Sequence, residues 1–121
     1  MNIENLANEI QDQALEIIRK EESIDTEKKA IASFTELVES QVIEIEKQVL
    51  FNENYKNESQ RKLAIKEAVE DSEFIREDKI RINKSEEKII DLEFEIKRIK
   101  IKKNYLETML KLEFIKLEKG V

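Results

Sequence analysis

Isoleucine and valine mark a seven-residue beat through the first third of the chain: Ile3, Ile10, Ile17, Ile24, Ile31, Val38 and Ile45. A second series of the same period, Ala68, Ile75, Ile82, Ile89, Ile96, Leu110 and Leu117, runs through the last half and is interrupted only by Lys103. A sustained heptad keeps one apolar residue per two turns on a single face, which predicts long helices that bury a narrow seam against other helices. The first helix is predicted over about residues 3–51. Leu6, Ala7, Ala14, Ala30, Leu37, Val42 and Val49 widen its isoleucine seam to a stripe, the width needed by a helix that meets more than one neighbour. Its softest stretch is Glu21-Glu22-Ser23-Ile24-Asp25-Thr26-Glu27. Ser23 or Asp25 is able to cap a new helix with Glu27 in its first turn, so a kink at 23–26 stands against an unbroken helix through which the heptad phase passes undisturbed.

The boundary comes at Asn52-Glu53-Asn54-Tyr55-Lys56-Asn57. Asparagine side chains bond their own backbone and compete with helix, so a segment this rich in them, without apolar periodicity, predicts a turn at 52–57. Asn57-Glu58-Ser59-Gln60 then has the form of a capping box, with Asn57 accepting from the first turn and Gln60 reaching back. A second helix is predicted over about 58–118. With no proline and the single glycine at Gly120, it runs about 60 residues, roughly 90 Å at 1.5 Å per residue. Early in this helix the alternate seam positions hold Asp71, Asp78 and Ser85, which predicts a stretch that packs loosely or lies beside the shorter helix with water along it. From Leu92 onward they become Leu92, Ile99 and Leu106, and the seam is complete. Phe94, Ile101 and Ile115 lie on a different face, joined near the end by Met109, Leu112 and Phe114, so the last third is apolar over more of its circumference than one partner helix covers.

Composition sharpens this picture. The chain has 121 residues, of which 41% are charged and 6% aromatic, a balance too thin for a large compact core and suited to helices packed along a seam. A mean hydropathy of −0.61 also fits a disordered chain, but such a chain has no reason to keep isoleucine in phase. The absence of cysteine removes disulfides and thiolate metal sites. Apolar runs are only a few residues long, and Glu4 stands near the amino terminus where a leader would carry basic residues, so a soluble cytoplasmic protein with no membrane partner is expected. Charge is uneven: residues 1–57 carry thirteen acids against six bases, whereas 58–121 carry fifteen against sixteen. Lys97, Arg98, Lys100, Lys102 and Lys103 crowd together with no acid among them, and antiparallel packing brings this girdle near the acidic first segment.

Catalytic chemistry has little to work with. Without histidine or cysteine there is no imidazole base or ligand and no thiol nucleophile, and one glycine builds no phosphate cradle. Glu36 with Glu39, and Glu67 with Glu70 and Asp71, have the helical spacing that holds magnesium in all-helical nucleotide pyrophosphohydrolases, but 28 acids generate such pairs by chance. No enzyme, cofactor or metal is expected. Direct nucleic-acid binding through the 97–103 segment, with Tyr105 as a stacking surface, is weakened because the cations point around the helix and the net charge is −6. In the opposite sense, Glu4, Glu9, Asp12, Glu16, Glu21, Glu22 and Asp25 could imitate a phosphate backbone and occupy the groove of a DNA-binding protein.

The residues Asn57-Glu58-Ser59-Gln60-Arg61-Lys62-Leu63-Ala64, followed by a long Glu/Lys/Ile-rich helix, resemble the small coiled-coil proteins encoded in early regions, often near recombination genes, of tailed phages that infect AT-rich Gram-positive bacteria. The resemblance covers about the second half of the chain. It implies a non-catalytic accessory protein that binds or inhibits a host or phage factor of DNA metabolism or defence, and it supplies no active residues.

The expected architecture is therefore all-α: a long antiparallel helical hairpin or coiled coil, one domain, assembled as a homo-oligomer through its apolar last third. A nearly straight two-helix rod that dimerises along its whole length is the alternative. The short turn favours the hairpin. Protein binding is expected through Met109, Leu112, Phe114 and Ile115 as apolar contacts, with Lys97, Arg98, Lys100 and Lys102 steering by charge.

Overall fold

The computed structural model describes residues 2–120. Among these the chain is all-helical: α1 spans Ile3–Leu50, α2 Glu58–Asp71 and α3 Glu73–Glu118. Each boundary has a local cause. Asn2 begins α1, its side-chain Oδ1 accepting from the Asn5 amide at 2.7 Å. Through the soft stretch α1 continues unbroken, because the Ser23 and Thr26 hydroxyls donate back to the carbonyls of Arg19 and Glu22, each at 3.1 Å, instead of capping a new start. In the turn that follows, Asn52 accepts from the Asn54 amide at 2.9 Å. Asn57 Oδ1 then accepts from the Gln60 amide at 2.8 Å, while Gln60 Oε1 reaches back to the Lys56 amide at 3.0 Å, one residue earlier than a standard capping box. At the far end the carbonyls of Ile115 and Leu117 accept from Lys119 and Gly120, and Gly120 adopts φ +68, the left-handed conformation glycine tolerates best.

The second helix predicted over 58–118 is divided at Ser72. This residue is extended (φ −71, ψ 116) and serves both neighbours: its amide donates to the Val69 carbonyl at 3.3 Å, and its hydroxyl accepts from the Ile75 amide at 3.3 Å. Arg76 spans the break, its guanidinium donating to the Glu70 carbonyl at 3.1 Å. Because Ala68 and Ile75 keep their seven-residue spacing across Ser72, the apolar phase carries no trace of the interruption.

The chain forms two compact units, and α1 and α3 contribute to both. The first unit contains residues 1–26 and 88–121. Its core is Leu6, Ile24, Ile96 and Leu106, and burial along α3 follows 89, 92, 96, 99, 103, 106, 110 and 113, alternate steps of three and four that define a heptad seam. On α1 the matching positions are 3, 6, 10, 13, 17, 20 and 24, which places Gln13 and Lys20 half-buried among aliphatic side chains. Lys20 Nζ donates to Glu95 Oε2 at 2.7 Å and lies 3.3 Å from Glu16 Oε1.

The second unit contains residues 27–87. Here α1 buries positions 31, 34, 38, 42, 45 and 49 at least partly, its stripe shifting by one residue after Val38. Ile75 is 1% exposed, and Asp78 and Ser85 are also buried. Asp71, the first of the three polar seam positions, is exposed, so the loose packing expected for this stretch does not extend to Asp78 and Ser85. Arg81 accounts for the difference: its guanidinium donates to Asp78 Oδ1 at 2.9 Å and lies over the Phe34 ring, 5.6 Å from the centroid, so one side chain pairs the carboxylate and covers the aromatic. No helix among the described residues is long and apolar enough to cross a membrane.

The Lys20 pair makes a measurable prediction. The Glu95 hydrogen bond raises the lysine above its ordinary 10.5, outweighing desolvation, with Glu16 adding to the effect. A raised folded-state value means that the stabilisation is fully present below that ordinary value and is lost as pH rises through the shifted one. Melting curves of the wild type and Lys20→Gln between about pH 8 and pH 12 should therefore converge at the alkaline end. A difference that is constant across that range would show that the ion pair contributes nothing to folding.

Candidate interaction surface

Successive helical residues turn by about 100°, so the α3 face opposite the seam is fixed once the seam is known. On that face in the first unit, Ile90, Phe94, Ile101, Tyr105, Leu112 and Ile115 form a second apolar stripe. The exposures are large where polar residues would be expected: Phe94 60%, Ile101 71%, Tyr105 63%. The seam residues of the same helix are covered by α1, whereas nothing within the unit covers this outward stripe.

The eight residues predicted as a binding set divide between faces. Leu112 and Ile115 join the outward stripe, both exposed. Met109 is half-buried toward the seam, and Phe114, although exposed, projects from the other side of the helix. Lys97 and Arg98 flank the stripe, with Lys97 Nζ 5.6 Å from the Phe94 ring centroid. Lys100 and Lys102 turn away to opposite sides. Lys103 leaves the basic girdle altogether: it occupies a seam position, half-buried, and its ammonium donates to Glu107 Oε1 at 2.7 Å. The 97–103 segment is thus a ring of charge and not a linear phosphate track. Phe94, Ile101, Leu112 and Ile115 were placed together on a face away from the seam, whereas Ile90 and Tyr105 were missed as members of it, because the heptad reading sorted residues by their distance from the seam. Spacing of 94, 101, 105 and 112 by seven, four and seven is the signal that identifies them.

Elsewhere, the ends of α1 and α2 enclose an open groove of about 420 Å³ in the second unit, lined by Ile43, Val49, Leu50 and Ile65. Arg61 borders it with a buried Nε that has no hydrogen-bond partner. The carboxylates considered for magnesium, Glu36 with Glu39 and Glu67 with Glu70 and Asp71, do not assemble: among the described residues no three acidic, histidine or cysteine side chains come together in a way that could hold a metal ion.

Compared with known proteins, the chain matches no family model, no curated protein and no solved structure.

Proposed function

We propose that this protein is a non-catalytic, protein-binding coiled coil: a helical hairpin that presents the outward face of α3 to a macromolecular partner and self-associates. The hairpin reading rests on two contacts, one inside each unit, Lys20 with Glu95 and Phe34 with Arg81. Each contact joins α1 to α3 within its own unit. The resemblance of the turn region to phage-encoded accessory proteins supports a role in binding or inhibiting a host or phage factor of DNA metabolism or defence.

The single observation that carries the reading is the row of large apolar side chains left open along α3. Burying such residues is the main favourable term in association, and their exposure without a partner invites aggregation. Replacing Leu112 and Ile115 with serine should leave the helical circular dichroism signal intact and abolish capture of a specific protein from a bacterial lysate, with about 2 kcal/mol or more lost if either is a hot spot. Wild-type protein should pass through heparin resin unretained. Retention that falls steeply with salt would instead indicate direct nucleic-acid binding through the 97–103 cations. The acidic residues of α1 support the DNA-mimic reading as an alternative. It predicts that the captured protein is itself a nucleic-acid binder, released by DNA and by charge neutralisation at Glu4, Glu21, Glu22 and Asp25.

A further inference from the structure

The outward stripe reads the same in both directions. Phe94, Ile101, Tyr105 and Leu112 are spaced seven, four and seven, symmetric about the level of residue 103. A sequence of that form on one helix face is complementary to itself when a second copy runs antiparallel, the condition for a closed two-fold interface. We propose that the partner on this face is a second copy of this chain, docked antiparallel along α3 with Phe94 opposite Leu112 and Ile101 opposite Tyr105. The inference deepens the protein-binding reading and rests on it.

Charge complementarity supports this occupant. In an antiparallel helix pair, residues on the same flank of the stripe face one another across the two-fold axis. In this register Asp91 meets Lys116 of the second copy on one flank, and Glu93 meets Lys111 on the other, where Ile90 and Ile115 also face each other. Each contact occurs twice. Asp91, Glu93 and Lys111 are exposed, and the Lys116 ammonium lies 3.5 Å from Glu113, a long contact. Lys102 approaches its own copy near the axis. That single like-charge encounter stands against four acid–base contacts, so screening by salt should weaken the assembly. All of the residues invoked lie in the first unit, so the interface is built on one compact body.

The chain has no cysteine, so introduced thiols report geometry without background. The Ile101→Cys/Tyr105→Cys variant should give a disulfide-linked dimer on mild oxidation, and Leu15→Cys, on the outward face of α1, should not. Sedimentation equilibrium from about 5 to about 200 μM should give a dimer mass that Glu93→Lys weakens by about tenfold and Glu93→Lys/Lys111→Glu restores to within about twofold. Because these residues are exposed in the single chain, circular dichroism should remain unchanged, which separates loss of assembly from loss of folding. A monomer throughout that range overturns the proposal, as does a dimer that fails to cross-link or a charge swap that fails to rescue. If the wild type is monomeric but Ile101→Asp still abolishes capture of another protein, the broader protein-binding reading survives without the second copy. If Ile101→Asp changes neither mass nor capture, both readings fall.

Discussion

Ile75→Ala should destabilise the protein by about 2–4 kcal/mol, the usual cost of deleting a buried aliphatic side chain together with the cavity it leaves. This residue is 1% exposed and stands in the first turn of α3, where Ser72 receives its amide hydrogen bond. It therefore anchors the point at which the chain restarts after the extended residue, and its side chain holds the new helix against the rest of the second unit. Total stabilities of single domains are about 5–15 kcal/mol, so this loss is a large fraction of what is available. The check is urea or thermal unfolding followed by far-ultraviolet circular dichroism, with Ile80→Ala as the comparison. Ile80 is 47% exposed on the outward face and should cost much less. Equal losses at the two positions would mean that α3 does not use its heptad seam for stability.

That contrast also marks where the sequence was legible. Isoleucine recurring in step identified the buried edge of both long helices, and Ile24, Ile75 and Ile96 are indeed among the most buried side chains. Apolar period is a strong signal because a helix repeats its facing side over many turns, and each repeat reinforces the assignment. The Asn-rich turn was legible for a different reason, since asparagine offers the backbone local hydrogen bonds that helix cannot match. Ser72 was not, because a single capping residue leaves the heptad spacing intact. The break is made by one hydroxyl and one guanidinium, Ser72 to Ile75 and Arg76 to Glu70, and neither disturbs the pattern of hydrophobic positions.

The polar members of the seam were legible only in part. Asp78 and Ser85 stood out as gaps in an apolar series, but their surroundings depend on Arg81, which the pattern assigns to a flank and the fold brings over Phe34. Gln13 and Lys20 went unnoticed for the converse reason: phasing on the isoleucines made the adjacent Ala14 look like part of a wider stripe. Burial along α1 at 13 and 20 shows that the true alternate positions are polar there. The outward stripe of α3 fell between the two cases. Several of its members were recognised as lying on another face, but Ile90 and Tyr105 were not joined to them, although the spacing of 94, 101, 105 and 112 places Tyr105 in the same row.

Asp78→Leu should raise stability by about 2 kcal/mol, the gain from burying a large aliphatic side chain at a seam position. In the wild type this position holds a buried carboxylate that has given up water for one guanidinium, and the Coulomb attraction of such pairs repays little beyond desolvation. Leucine removes that cost and completes an apolar layer that Ile75 and Ile82 already flank. Arg81 is half-exposed on its own side chain, so it can return to water while keeping its place over Phe34. The same substitution should reduce structural uniqueness, because a polar residue in a coiled-coil seam disfavours shifted registers that would leave it unpaired. A higher melting temperature accompanied by a broader distribution of assembled masses in sedimentation is the expected result. If Asp78→Leu instead lowers the melting temperature, the Asp78–Arg81 pair is a net source of stability, and the seam of the second unit depends on charge as well as on aliphatic packing.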